Sequence, residues 1–315
     1  MADTPKPQDQ AGSREDISID ASRCLRMRFS ESRCRRCADA CPHGAIGLKD
    51  TLSVDPGRCT GCLLCTAACP SGALEQGRDF HGCMMQLSRV PDPVLGCNRT
   101  SDRAHATLAC LGALAEEHLV VLSHTLSGKL TLNMTRCGDC PNVGIVGELL
   151  QRLHGIAEAG LLDSGSRIVL AESPGDMKFS EESVGRRGFF KAFRNSIFKS
   201  AAVVLSSTAE QVERRSDYSS KRLPIRRELL KDIRKSLSPA TEERIRQRFD
   251  SSVSFDSSCT TCQGCVAICP VGALQTDDLE KIPVFSAGLC TGCGLCGEFC
   301  MDGALAVRTV RSTPE

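Results

Sequence analysis

The chain has 315 residues, enough for two or three domains, and its 41% hydrophobic and 24% charged residues exclude wholesale disorder. Its 39 basic and 38 acidic residues nearly balance, so net charge indicates no polyanionic partner. Cysteine is the outlier, because an odd count of 21 in a chain of this length argues against a disulfide framework. No apolar run reaches the roughly 18 residues of a membrane span, and residues 1–20 are expected to be disordered rather than a secretory signal. We therefore expect a cytoplasmic chain whose thiolates bind metal.

The cysteines are concentrated in four copies of one motif. Three copies read C-x2-C-x2-C-x3-C and begin at Cys59, Cys259 and Cys290. The remaining copy begins at Cys34 and lacks the leading cysteine, since Glu31 stands in that position. Runs of this kind bind [4Fe-4S] clusters, and the cysteine after x3 binds the neighbouring cluster of a pair. The proline that follows this cysteine in three copies suggests the first position of a short helix.

This crossed pattern predicts four ligand sets. For the C-terminal pair they are Cys259, Cys262, Cys265 and Cys300, and Cys290, Cys293, Cys296 and Cys269. For the N-terminal pair, one set is Cys59, Cys62, Cys65 and Cys41. The other set has only three cysteines, Cys34, Cys37 and Cys69, and lacks one ligand. We predict Cys24, the nearest upstream thiol, as that ligand; a three-iron cluster or an oxygen ligand from Glu31 are the alternatives. Structural zinc is the other interpretation of C-x2-C pairs, but zinc ribbons use two pairs rather than runs of four.

The four motifs resemble bacterial-type two-[4Fe-4S] ferredoxin domains over residues 24–75 and 255–308. The resemblance implies two modules, each holding two clusters that carry single electrons. Met301 replaces the proline of the other three copies and leaves every ligand in place.

Between the modules, the pattern alternates strand-like and helix-like segments, as in a small parallel α/β unit. Strands are predicted over residues 93–97, 105–110, 129–135 and 167–172, and helices over residues 111–126 and 142–160. The four cysteines of this region follow predicted strands, and ligand sites of open α/β sheets gather at the carboxyl ends of strands. We therefore predict a fifth iron–sulfur cluster, [2Fe-2S] or [4Fe-4S], held by Cys97, Cys110, Cys137 and Cys140. The alternatives are zinc, a redox dithiol at Cys137 and Cys140, and two merely buried thiols at Cys97 and Cys110.

The order C-N…H-A-x3-C-L-G-x-L…C-x2-C over these four cysteines resembles the [2Fe-2S] delta-type subunit of methyl-viologen-reducing hydrogenases. Members of that family pass electrons to heterodisulfide reductase. They carry a second cysteine three residues after the first, and this chain has Thr100 there. The resemblance implies an electron-transfer role for the middle region.

A cysteine-free segment separates the middle region from the last two motifs. Residues 178–248 contain 18 basic and 9 acidic residues. Phe189, Phe193 and Ile197 are spaced as one face of a basic amphipathic helix, a second helix is predicted from Ile225 to Leu237, and a third begins at Ser238-Pro239. These helices either cover the cluster modules with their charges solvated, dock an acidic partner, or bind an anionic membrane surface. No nucleic-acid partner is expected, because no recognised binding fold accompanies the basic residues.

The predicted fold class is α+β: two ferredoxin-like modules that flank a small α/β cluster-binding domain and a basic helical linker. The boundaries are residues 1–20 for the disordered N-terminus, 21–80 and 253–310 for the modules, 92–172 for the α/β domain and 173–252 for the linker. We expect a polyferredoxin that relays electrons between donor and acceptor oxidoreductases through four [4Fe-4S] clusters and a fifth cluster. The alternatives are a reductase whose middle cluster binds substrate, and an iron–sulfur redox sensor.

Overall fold

The computed structural model describes residues 15–77, 79–165, 167–179 and 218–309. The N-terminal unit, residues 15–77, is built from two antiparallel strand pairs. The outer pair joins β1 (Ile17–Ile19) to β4 (Leu74–Gln76), and the inner pair joins β2 (Ile46–Gly47) to β3 (Ser53–Val54). Three short helices connect them: α1 (Leu25–Arg28), α2 (Arg36–Asp39) and α3 (Leu64–Ala68).

Strand β1 corrects one expectation from the sequence. Residues 1–20 were expected to be disordered, yet Ile17 is buried and β1 forms a ladder with β4. The prediction is wrong for residues 15–20, because this strand closes the outer pair of the unit. Residues 1–14 lie outside the described residues.

The middle unit, residues 92–172, contains a sheet of four parallel strands in the order β6-β5-β7-β8. Its strands are β5 (Val94–Cys97), β6 (Ala106–Leu108), β7 (Lys129–Asn133) and β8 (Arg167–Ala171). Helix α4 (Phe80–Leu87) precedes the sheet, and helices α5 (Glu116–Thr125) and α6 (Ile145–Glu158) connect its later strands. If the four strands are numbered 1 to 4 in chain order, they lie side by side in the order 2-1-3-4. The topological switch point therefore lies between β5 and β7.

Helix α5 begins later than the sequence predicts. The helix was expected from residue 111, but Leu111–Ala113 forms a 3-10 turn and α5 begins at Glu116. The reason is a close approach of two chain segments, since a Cβ on Gly112 would lie 2.2 Å from the carbonyl oxygen of Cys62. The turn thus brings the middle unit against a cysteine loop of the N-terminal unit.

The described part of the basic segment forms α7 (Ile225–Arg234) and α8 (Pro239–Phe249). Proline opens α8 as predicted, and the Ser238 side chain caps it by accepting a hydrogen bond from the Thr241 N–H at 3.2 Å. Helix α7 buries Leu229, Leu230 and Ile233 and packs on α5. The predicted helix around residues 189–197 lies outside the described residues.

The C-terminal unit, residues 251–309, repeats the plan of the N-terminal unit. Its outer pair joins β9 (Ser251–Phe255) to β12 (Leu305–Thr309), and its inner pair joins β10 (Leu274–Gln275) to β11 (Val284–Phe285). Its helices are α9 (Gly264–Ile268) and α10 (Leu295–Phe299). The predicted mixed helix-and-strand content is confirmed.

One continuous hydrophobic core extends from the N-terminal unit through the middle unit to α7 and α8. The C-terminal unit has a smaller core of its own. Of the helices described here, none combines the length and the apolar character that crossing a bilayer requires.

Candidate metal centres

The first N-terminal set consists of Cys41, Cys59, Cys62 and Cys65. Cys41 follows α2, while the other three lie in and around the loop that leads into α3. Burial raises the pKa of the Cys65 thiol, and so do the thiolates of Cys62, Cys37, Cys59 and Cys41. The structure therefore brings Cys41 beside the run that begins at Cys59, as the crossed pattern requires. We refer to these four residues as the Cys59 set.

The second N-terminal set, the Cys24 set, consists of Cys24, Cys34, Cys37 and Cys69. Burial raises the pKa of Cys37 to about 12, with further contributions from the thiolates of Cys69, Cys24 and Cys34. Helix α1 occupies the insertion between Cys24 and Cys34, so that the chain returns to this set after nine residues where the other motifs have two. Glu31 is exposed, whereas Cys24 is buried.

The C-terminal sets show the same crossing. Cys259, Cys262, Cys265 and Cys300, the Cys259 set, line one cavity of about 220 Å3. The Cys290 set lines a second pocket and consists of Cys269, Cys290, Cys293 and Cys296. Burial raises the pKa of Cys296, and the thiolates of Cys293, Cys269 and Cys290 raise it further.

The middle set, the Cys97 set, lies at the carboxyl ends of the parallel strands around the switch point. Cys97 ends β5, and Cys110, Cys137 and Cys140 follow the next two strands along the chain. Burial raises the pKa of Cys110 to about 12; the thiolates of Cys97, Cys62 and Cys137 also raise it. The pKa of Cys137 is raised to about 11 by burial and by Cys97 and Cys140.

Thr100 stands where the delta-type family carries its second cysteine. Its side chain is buried and accepts a hydrogen bond from the Cys97 N–H at 2.9 Å, and its one hydroxyl proton is shared between the Cys97 carbonyl oxygen at 3.4 Å and Cys97 Sγ at 3.7 Å. The residue therefore contacts the proposed ligand although it offers no thiol. A hydrogen bond to a ligating sulfur is one of the ways in which proteins tune a cluster.

The cysteine loops share a backbone conformation that brings their N–H groups together. The residue after the second cysteine is left-handed in all three complete motifs: Leu63 at φ 60°, Gln263 at φ 60° and Gly294 at φ 82°. Left-handed residues beside helical ones form concave nests of N–H groups that bind anions and iron–sulfur sites. Two of the three are not glycine, and such strained positions cluster at functional sites.

The expected helix after each x3 cysteine is not formed. The helices precede these cysteines instead: α3 ends at Ala68, and Cys69 is its C-terminal cap. Pro70 then opens a turn that reaches Gly72 at φ 68°. The prediction was wrong because the proline marks a sharp end of a helix, where it cannot continue the hydrogen-bond ladder.

All 21 cysteines are free thiols, and the fit of the sets to iron–sulfur clusters rests on this donor chemistry. Each set offers four thiols, and a cubane takes each thiolate at a different iron corner. Across the described ranges, no group of three or more Cys, His, Asp or Glu side chains is arranged to hold a single metal ion. Because a cluster binds thiolates, binding at buried thiols whose pKa is raised, such as Cys37 and Cys110, must release protons.

Cys83 stands apart from the five sets. It is buried in α4, and burial together with the Asp79 carboxylate raises its pKa to about 12. A buried thiol of this kind behaves as a small hydrophobic side chain.

Neighbouring sets lie at contacts between the units. Asn142 Nδ2 donates to the carbonyl oxygen of Thr60 at 3.2 Å, which joins the loop after Cys140 to the loop after Cys59. Between the N-terminal and C-terminal units, Arg28 Nε donates to the carbonyl oxygen of Ile268 at 3.0 Å. The rings of Phe29 and Phe299 meet edge to face at 5.2 Å. The insertion between Cys24 and Cys34 therefore contacts α9 and α10, and Arg36, just beyond it, donates to the carbonyl oxygen of Gly292 at 3.2 Å.

Two adjacent arginines of α7 bind cysteine backbones of different units. Arg226 donates to the carbonyl oxygens of Thr66 and Cys69, and Arg227 donates to that of Cys290 at 3.0 Å. Both are buried, with 7% and 5% of their surface exposed. The interpretation of this helix as one with solvated charges is wrong for both arginines.

Acidic side chains compensate these buried cations. Glu117 of α5 lies 3.4 Å from Arg226, and Asp250 lies 3.7 Å from Arg227. The amino-acid pattern does not reveal this network, because alternation of Arg and Glu in a helix is equally typical of a solvated surface.

Comparison with known proteins identifies the two ends of the chain. Residues 32–73 and residues 258–305 each match a family model described as a 4Fe-4S dicluster domain. The electron transport protein HydN of Escherichia coli K12 is 48% identical over 48 residues, which cover 13% of this chain and 27% of HydN. An uncharacterized ferredoxin of Methanocaldococcus jannaschii is 34% identical over 89 residues, which cover 28% of this chain and 50% of that protein.

The chain thus spans at most half the length of these curated relatives. No solved structure matches it. Both family matches lie outside the middle unit, where the fifth cluster stays a prediction. The crossed thiol sets and the two family matches agree on the terminal units: this chain carries two 4Fe-4S dicluster ferredoxin domains, one in the N-terminal unit and one in the C-terminal unit.

Proposed function

We propose that this chain is a ferredoxin-type electron-transfer protein that relays single electrons between redox proteins. The observation that carries the proposal is the placement of thiol sets on both sides of each contact between units. The two dicluster matches and the relative named as an electron transport protein support it. They favour this role over the reductase and sensor alternatives.

The proposed ligands are those of the five sets. The Cys24, Cys59, Cys259 and Cys290 sets would each hold one [4Fe-4S] cluster, and the Cys97 set would hold a fifth iron–sulfur cluster. Such clusters, when bound, supply one-electron oxidation and reduction at potentials set by hydrogen bonds, charge and burial. The chain's own residues provide the thiolates, the N–H groups of the loops and the buried arginines that set those conditions.

The contacts support a linear order of the sets. The thiolate of Cys62 raises the pKa of Cys110, so the Cys59 set lies beside the Cys97 set. The thiolate of Cys37 raises the pKa of Cys65, so the Cys24 set lies beside the Cys59 set. The Cys24–Cys34 insertion then contacts the C-terminal unit through Arg28. The proposed order is the Cys97, Cys59, Cys24, Cys290 and Cys259 sets.

The domain boundaries that we propose follow the same units. They are residues 15–80 and 251–310 for the two ferredoxin modules, 92–172 for the α/β cluster-binding domain and 173–250 for the basic helical linker. The linker packs on α5 and bonds to both modules. Free thiols throughout suit a reducing compartment, and we propose the cytoplasm.

Iron and acid-labile sulfide analysis of the anaerobically purified protein, combined with EPR, tests this proposal. Four cubanes require about 16 iron atoms per chain, and a fifth cluster raises the count to about 18 or 20. Stepwise reduction should then take up one electron per cluster. An iron content of about 12 or less, or zinc in place of iron, would contradict the ligand sets. Catalytic turnover of a small-molecule substrate by the chain alone, as distinct from simple reduction of an artificial electron acceptor, would contradict the relay function.

A further inference from the structure

The end of the C-terminal unit that holds the Cys259 set presents an unusual surface. Cys262 is exposed there. Four large hydrophobic side chains near this set are at least half exposed: Met301 at 98%, Leu279 at 73%, Val284 at 70% and Ile282 at 50%. Solvent-exposed apolar clusters beside a functional site mark interaction surfaces rather than core defects.

A side chain of the cysteine loop forms hydrogen bonds with the backbone of this apolar surface. Gln263, between Cys262 and Cys265, donates through Nε2 to the carbonyl oxygens of Leu279 at 3.2 Å and Lys281 at 2.8 Å. Met301 directly follows Cys300 and lines the same cavity as the four cysteines, as does Pro283. A partner that contacts the apolar side chains would therefore lie next to the Cys259 set.

Acidic side chains border the apolar ones. Asp256, Asp277, Glu280 and Asp302 are all exposed. The basic residue among them, Lys281, forms an ion pair with Asp278 at 3.0 Å, which cancels its charge locally. The border therefore carries net negative charge. We call the four apolar and four acidic residues together the tip face.

We propose that the tip face docks a redox protein that presents an apolar centre surrounded by Lys and Arg. This inference rests on the proposed electron-transfer function and names the kind of partner that the Cys259 set serves. Opposite charges steer the two surfaces into register and raise the association rate, while apolar contact at the centre excludes water. A second copy of the tip face is a poor occupant, because two acidic borders repel each other.

A lysine-rich cytochrome c is a suitable probe, and the same cytochrome with succinylated lysines is its charge-reversed counterpart. Stopped-flow measurements would follow oxidation of the dithionite-reduced holoprotein by each. The apolar variant is M301Q/L279S, and the charge variant is E280Q/D302N. Matched controls are M85Q/L150S, which changes exposed apolar residues elsewhere, and E158Q/E243Q, which removes two exposed acidic charges on α6 and α8. Iron content is measured for every variant, so that loss of a cluster is recognised.

At low ionic strength, E280Q/D302N should slow oxidation by native cytochrome c roughly 3- to 10-fold and flatten its salt dependence. M301Q/L279S should weaken binding of the oxidised holoprotein to cytochrome c, measured by calorimetry, by a similar factor. Native cytochrome should react faster than the succinylated form with the wild-type protein. The control variants should behave as the wild-type protein does.

Equal rates for tip-face and control variants would overturn the docking proposal. So would a dimer in sedimentation that the tip-face variants dissociate, because the face would then bind a second copy. A small neutral quinone separates this failure from failure of the proposed function. If the quinone reoxidises all variants alike, electron transfer stands and only the docking surface is wrong. If the holoprotein takes up no electrons at all, the proposed function is wrong.

Discussion

The guanidinium of Arg227 donates to the carbonyl oxygen of Cys290 at 3.0 Å, across 63 positions of the sequence. Its neighbour Arg226 makes the corresponding bond to the carbonyl oxygen of Cys69. One rigid helix thus fixes the Cys24 set relative to the Cys290 set. A cation held beside a cluster also favours the reduced state, because reduction adds negative charge.

Replacement of Arg227 by Met should therefore lower the midpoint potential of the cluster in the Cys290 set. A buried charge-assisted hydrogen bond contributes roughly 1.5–3 kcal/mol, and 59 mV corresponds to about 1.4 kcal/mol for one electron. We expect a decrease of roughly 60–130 mV in an EPR-monitored redox titration. R227K should recover part of it, and R246M, on the exposed face of α8, is the charge-matched control. An unchanged potential in R227M with full iron content would contradict a tuning role.

Cys24 and Cys83 form a matched pair of buried cysteines with opposite expected roles. C24S should lose about four iron atoms, or about one if a three-iron cluster remains. C83A should keep its full iron content, because Cys83 packs as a hydrophobic side chain in α4. Iron and sulfide analysis with EPR of the oxidised proteins distinguishes these outcomes. Loss of iron in E31Q but not in C24S would assign the fourth ligand to Glu31 instead.

Thr100 donates a hydrogen bond to Cys97 Sγ, so T100A should lower the potential of the cluster proposed at the Cys97 set. A neutral hydrogen bond contributes about 0.5–1.5 kcal/mol, which corresponds to roughly 20–60 mV. T100S keeps the hydroxyl and should stay close to the wild-type potential. Should T100A and T100S titrate identically, the hydroxyl has no part in tuning.

His118 predicts a pH dependence of stability. Its pKa is lowered to about 3, mainly by burial and in part by the cations Arg226 and Arg152, while Glu117 acts in the opposite direction. Below about pH 6.5 the unfolded chain binds a proton that the folded chain does not bind. The free energy of unfolding therefore keeps its full contribution from His118 above pH 6.5. It loses up to about 1.4 kcal/mol per pH unit as the pH falls from 6.5 toward 3.

The measurement is Tm of the holoprotein between pH 5 and pH 8. The wild-type Tm should fall on the acidic side, and H118Q should show a shallower fall. H154Q removes an exposed histidine on α6 and should leave the wild-type slope unchanged. Identical slopes for H118Q and wild type would rule out this histidine as the cause.

Cysteine spacing alone predicted most of the candidate sites. Regular x2 and x3 gaps indicate the ligands, because a cluster fixes how far apart its thiolates lie. The strand before Cys137 was predicted from its alternating apolar and polar residues. The spacing rule became weakest at Cys24, where nine residues replace two, and only the fold shows that α1 fills the insertion and returns the chain to Cys34.

Residue spacing and periodicity predicted the parts of this protein: twenty candidate thiolate ligands, two repeated modules, and a parallel α/β unit between them. The tertiary structure decided how these parts meet. Long-range contacts such as Arg227 with Cys290, Asn142 with Thr60 and Phe29 with Phe299 join residues that no local periodicity relates. Local pattern specifies which thiols a loop can offer, whereas burial and charge pairing between distant segments decide which loops become neighbours.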